Sequence, residues 1–230
     1  MIKDYPINFT FENNVLRFES HVSEFTSKIY EEYDLKSEKI DLNSKIEDLF
    51  NGKKVNRTEN SAALHPKYRK EPFYVHQKSK YFKLLNSANN IVSIGIGGSY
   101  EGTKLLVESL GNTKRNHIFI TGSDPQEFLE KIHHLKSKET VFIVSSKSFK
   151  TEETIENLKS AISWSGDLER FIAITANKAE ALKYNIKNII EFDKEIGGRY
   201  SIWSNISIAA DWEQNNESKK QFVLGGRQAD

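Results

Sequence analysis

From residue 91 onward the chain repeats one unit: a short, nearly unbroken apolar run followed by an amphipathic stretch. The runs are "IVSIGI" (91–96), "HIFIT" (117–121), "TVFIVSS" (140–146), "RFIAIT" (170–175) and "NIIEF" (188–192). Between them lie segments of helical period at 101–111, 125–136, 151–165 and 177–184. Runs this apolar imply strands buried on both faces, as in a parallel sheet whose crossover helices cover it. Strand and helix alternating in this way predict a doubly wound α/β domain with five parallel strands. The common flavodoxin-like order 2-1-3-4-5 is expected, with ligand bound beyond the strands' carboxyl ends where the winding reverses.

Upstream the texture changes. Phe18, Val22, Phe25, Ile29 and Tyr30 recur about a helical turn apart, and "SEKIDLNSKIEDLFNGKK" reads as a second short helix closed by Asn51-Gly52. Residues 53–80 form a polar, aromatic-spotted connection without the Gly/Ser monotony of a flexible linker. The division expected is a helical extension and connection over 1–80 and the α/β domain over 81–230. With 33 basic against 32 acidic residues the net charge is +1, which argues against nucleic acid or an anionic membrane as partner. The chain has no cysteine, so disulfides and thiolate zinc sites are excluded. The N-terminal stretch lacks a signal-like apolar core, and no run approaches the roughly 18 residues of a membrane span. A soluble, cytoplasmic protein is expected.

At the predicted switch point stand the loops after strands one and three, "GGS" (97–99) and "SSKSFKT" (145–151). The glycine loop fits neither nucleotide template. Tyr100 stands where a dinucleotide fingerprint needs its third glycine, and Gly102-Thr103-Lys104 replaces the Gly-Lys-Ser/Thr of a P-loop. Taken alone, its glycines are explained equally well by a tight strand-to-helix turn. The second loop brings the hydroxyls of Ser146, Ser148 and Thr151, the Lys147 ammonium and the first free amides of a helix. That set suits a phosphate, although Thr151 is also placed to act as an ordinary N-cap. Past strand five, Gly197-Gly198-Arg199 sets a guanidinium on a bare turn. It fits anion recognition, or a surface pair with an acid such as Glu195.

Four phrases, "NRTENSAALH" (56–65), "GIGGS" (95–99), "SKSFKTEET" (146–154) and "GGRYSIWS" (197–204), occur in the order and at the distances of the glucose-6-phosphate isomerase family, which the chain resembles from about residue 50. The resemblance implies a sugar-isomerase (SIS) domain holding a sugar 6-phosphate on Ser146, Lys147, Ser148 and Thr151, with Gly98 and Ser99 beside the sugar. It implies that Arg199 stabilises the cis-enediol(ate) of aldose–ketose interconversion. It implies no metal, no organic cofactor, and a homodimer. The bare backbone at Gly97-Gly98 is thereby expected to make room for the hexose.

Departures from the family accompany the match. Ser148 and Lys150 stand where threonines are usual, and the lysine adds charge near the expected phosphate. Asn205 and Ser207 replace small residues, and 209–220 is unusually polar. In the family, the proton-transferring carboxylate, the ring-opening histidine, a C-terminal lysine and a second SIS domain follow in later sequence. The resemblance therefore predicts a truncated isomerase. The alternative is a single SIS module that binds a sugar phosphate without turning it over. None of the six histidines (His21, His65, His76, His117, His133, His134) is assigned chemistry.

Overall fold

The protein is described by a computed structural model covering residues 9–12, 17–21, 25–70, 78–110, 115–210 and 216–229. It divides into two compact units, Met1–Ala62 and Ala63–Asp230.

Among the described residues the first unit contains a short antiparallel strand pair, β1 (Phe9–Glu12) and β2 (Arg17–Ser20), in which Phe11 pairs with Phe18 and Glu12 with Arg17. The helical spacing that begins at Phe18 is thus broken. Phe18 lies in a strand, Val22 falls outside the described residues, and Phe25 precedes the helix. Alternation over "FTFE" and "RFES" matches the two-residue period of a strand, and cross-strand pairing prevails over a helical register shared by only a few residues. Helix α1 (Ser27–Lys39) starts where Thr26 accepts the Ile29 amide and ends on Lys36 and Lys39, which suit the negative end of its dipole. Helix α2 (Leu42–Phe50) is capped by Asp41, and closes at Asn51 and a left-handed Gly52 as expected.

The second unit contains α3 (His65–Lys70), α4 (Lys78–Asn86) and the predicted sheet: β3 (Asn90–Ile94), β4 (Asn116–Ile120), β5 (Thr140–Ser145), β6 (Phe171–Thr175) and β7 (Ile189–Glu191). Strand order is β4-β3-β5-β6-β7 and every pairing is parallel, which is the expected order 2-1-3-4-5. The crossovers are α5 (Glu101–Leu110), α6 (Pro125–Ile132), α7 (Glu152–Ser165) and α8 (Lys178–Leu182). Alternate strand residues feed two cores. Phe142, Val144, Phe171 and Ala173 pack with Phe128, Ile132, Leu158 and Ala181 of α6, α7 and α8. Val141, Ile143, Ile172 and Ile174 pack with Phe82 and Leu85 of α4 and with Ile206 and Ile208. Burial on both faces is why these strands read as continuous apolar runs.

Beyond β7 the chain makes two 3₁₀ segments, Gly198–Trp203 and Asn205–Ala210, and the helix α9 (Asn216–Ala229). The polar departures are accommodated locally. Asn205 donates to the Glu191 carbonyl at 2.8 Å, and the buried Ser207 hydroxyl donates to the Ser204 carbonyl at 3.2 Å. Residues 211–215, the middle of the polar 209–220 stretch, lie outside the described residues. Among the described residues no helix is long and apolar enough to cross a membrane.

Candidate functional site

Beyond the carboxyl ends of β3, β5, β6 and β7 lies a cleft of about 650 Å³. Ser99, Ser146, Lys147, Ser148 and Thr151, five of the residues singled out from the sequence, line it together, joined by Ser145, Thr154, Asn177 and Lys194. Among the described residues the lining includes six hydroxyl side chains, one amide and two lysines, and no Asp, Glu or His.

The loop after β5 is shaped by its own side chains. Ser146 extends the ladder by donating its amide to the Ile174 carbonyl, and its hydroxyl accepts the Phe149 amide at 3.0 Å. Phe149 is left-handed, with φ 54°, and only 1% exposed. A bulky side chain tolerates that conformation only at some cost, which burial of the ring in the α7 core offsets. The turn so fixed returns Thr151 toward Ser146, hydroxyl to hydroxyl at 3.2 Å. Thr151 occupies the N-cap position of α7 but makes no side-chain capping bond. Capping therefore does not account for its hydroxyl, and the first amides of α7 have no intrahelical acceptor. Lys147 reaches the Ile196 carbonyl at 3.4 Å, a neutral partner that leaves its charge uncompensated.

The glycines of the other loop serve two different ends. Gly97 is left-handed, at φ 52°. Gly98 is bare because a backbone passes it: a Cβ there would run into the carbonyl of Gly198 and lie 2.7 Å from its Cα. The Ser201 hydroxyl donates to the Gly98 carbonyl at 2.5 Å and fastens the same contact. Gly98 is not among the described residues that line the cleft; the 3₁₀ turn bearing Arg199 fills the space on its Cβ side. Arg199 does not line the cleft either. It is exposed, and among the described residues it has no ion pair with Glu195 or any other acid. Its neighbour Tyr200 stacks on His65 at 4.1 Å between ring centroids.

The model of the phosphoglucose isomerase family matches residues 78–230. This chain belongs to that family. The glucose-6-phosphate isomerase of Shewanella sediminis (strain HAW-EB3) is 33% identical, over 72% of this chain and 37% of the relative. That of Wigglesworthia glossinidia brevipalpis is 35% identical, over 77% of this chain and 40% of the relative. The chain thus spans about two-fifths of the length of the curated relatives it matches. Among solved structures, a glucose-6-phosphate isomerase from Chlamydia trachomatis D/UW-3/Cx aligns with TM-score 0.73 at 20% identity, covering 88% of this chain and 46% of that one. That likeness concerns the fold.

Set beside the family pattern, Lys150 is explained by its partner. Its ammonium lies 3.4 Å from Glu180, which also pairs with Lys183 at 2.9 Å. Bonds from Lys183 and Lys150 hold the Glu180 carboxyl below its ordinary pKa. The charge expected near the loop is thereby drawn to α8, and Lys150 does not line the cleft. Asn177 and Lys194 were not singled out from the sequence. Both follow strands of the sheet, β6 and β7, so extending the strand-end argument to every loop on that side would have found them. Asp193, beside Lys194, is occupied: it accepts the Tyr68 hydroxyl at 3.4 Å and the Glu195 amide at 2.9 Å. Burial, with the nearby Asp193 charge and hydrogen bond, pushes the Tyr68 phenol up to about 12.

Proposed function

We propose that this chain binds a sugar 6-phosphate in the cleft after β5 and serves the reversible isomerisation of glucose 6-phosphate to fructose 6-phosphate. The observation that carries the reading is Thr151: it stands at the N-cap of α7, yet its hydroxyl turns to Ser146 and the cleft instead of capping. A phosphate seated there meets hydroxyl donors, the Lys147 ammonium and the free amides at the positive end of a helix. Ser99 lies beside the sugar, and Gly98 acts by carrying the Arg199 turn. Arg199, charged and unpaired among the described residues, is the group for negative charge developing on an enediolate. The cytoplasm is the compartment that fits this activity, and a homodimer is the assembly the family resemblance implies.

Proton transfer between C1 and C2 needs a base with a pKa near the working pH. Among the described residues no carboxylate or imidazole lines the cleft, so the base is sought outside that lining. In the family pattern it comes from later sequence. The same observation favours a second reading, in which these 230 residues bind the sugar phosphate and do not turn it over.

Calorimetric titration with fructose 6-phosphate, alongside an isomerase assay, tests both. Binding that falls at least tenfold in Lys147→Gln and Thr151→Val is expected. No binding by the unaltered chain, or binding indifferent to both substitutions, overturns the phosphate reading. Turnover by the chain alone overturns the binding-only reading.

A further inference from the structure

We propose that Lys194, on the loop after β7, is a second cation of this cleft and makes it selective for a phosphate dianion over a singly charged ester. The inference rests on the phosphate reading above.

Lys194 lines the cleft with Lys147, Ser146, Ser148, Thr151 and Asn177, while among the described residues no Asp or Glu does. The two lysines come from different loops, after β5 and after β7, with β6 lying between those strands in the sheet. Each acid that could hold Lys194 locally is accounted for or absent from the pairing. Asp193 is taken by Tyr68 and a backbone amide, and among the described residues Lys194 has no ion pair with Glu195 or any other carboxylate. Its ammonium is therefore available at the cleft without first breaking a bond.

The charge balance calls for it. A phosphate monoester carries about −1.5 to −2 charges near pH 7. Lys147 supplies one positive charge, and the N-terminus of α7 supplies the equivalent of about half. That suffices for a singly charged ester and falls short for the dianion. A second ammonium closes the difference. Coulomb energy is linear in ligand charge, so removing Lys194 costs a dianion twice the free energy that it costs a monoanion. If the dianion loses about tenfold in affinity, the monoanion loses only about threefold.

The test compares fructose 6-phosphate with fructose 6-sulfate, a monoanion of similar shape, by calorimetry at pH 8 and low salt. The full 230-residue chain is used with Lys194→Gln, Lys194→Arg and Lys147→Gln. Lys194 is exposed, so the fold survives its substitution. Expected is an approximately tenfold loss for the phosphate in Lys194→Gln, an approximately threefold loss for the sulfate, and recovery of most of the phosphate affinity in Lys194→Arg. Equal losses for both esters, or no loss for either while Lys147→Gln still weakens binding, overturn the role of Lys194 and leave the phosphate site standing. Failure of the unaltered chain to bind either ester overturns the phosphate reading itself, and this inference with it.

Discussion

Replacing Gly98 by alanine puts a methyl group where the Gly198 backbone already is. The added carbon would lie 2.7 Å from the Gly198 Cα and closer still to its carbonyl, where non-bonded carbons prefer about 3.5–4.0 Å. The neighbour is main chain, so no rotamer change relieves the clash; the two loops must part by about 1 Å. Overpacking of this kind costs about 1–3 kcal/mol. Separation also stretches the hydrogen bond from Ser201 to the Gly98 carbonyl, worth about 1 kcal/mol. Gly98→Ala should therefore cost about 2–4 kcal/mol, a fall in Tm of roughly 4–16 °C for a domain of this size. Gly97 provides the control. A methyl group added there would meet nothing within 4 Å, but the φ is 52°, so conformation and not space is limiting. Asparagine tolerates that backbone region better than alanine does. The order should then reverse between adjacent positions: asparagine better than alanine at 97, alanine better than asparagine at 98. Urea unfolding followed by circular dichroism at 222 nm reads all four variants. A Gly98→Ala cost below 1 kcal/mol, or asparagine preferred at 98, would refute the steric account.

Two further outcomes follow from side chains outside the cleft lining. Burial, and secondarily the Arg115 charge, push the His117 imidazole down to about 4. The folded state thus favours the neutral ring, while the unfolded chain takes up its proton near 6.5. The contribution is complete above pH 6.5 and is lost as pH falls toward 4, so the urea midpoint of the unaltered chain should drop more steeply across that window than that of His117→Phe; parallel profiles would contradict this. Arg199→Gln should leave stability within about 0.5 kcal/mol of the unaltered chain, since the guanidinium is exposed and has no ion pair among the described residues. A loss above 1 kcal/mol in thermal unfolding would instead make Arg199 a structural residue.

The sheet was legible because its physics is written continuously along the chain. A strand covered on both faces must be apolar at every position, and five such runs separated by helical periods leave little choice of architecture. The N-terminal strand pair was not legible for the opposite reason. Four residues per strand give two alternations, and Phe18 falls equally well into a helical series with Phe25 and Ile29. The loop after β5 announced itself by composition, with three hydroxyls and two lysines in six residues. Asn177 and Lys194 did not, since each is one polar residue in an ordinary-looking strand end.

Gly98 marks the deeper limit. A glycine at a strand end records that something passes close, but not whether that is a ligand or another stretch of backbone. Only the contact with Gly198, a hundred positions later in the chain, distinguishes them. Once it is seen, the motifs stop being independent. The glycine loop is shaped to receive the Gly198 turn, Ser201 fastens that turn to it, and Lys147 leans from the hydroxyl loop to the Ile196 carbonyl just before it. Segments after β3, β5 and β7 are thereby held in register with one another by contacts to main chain. Ser99, Ser146, Lys147, Ser148, Thr151 and Lys194 of these segments are left to line the cleft. A neutral carbonyl as the only hydrogen-bond partner of the Lys147 ammonium among the described residues keeps the loop in place without neutralising the charge. An ion pair there would have fixed the lysine just as well, and would have cancelled the field that an anionic ligand needs.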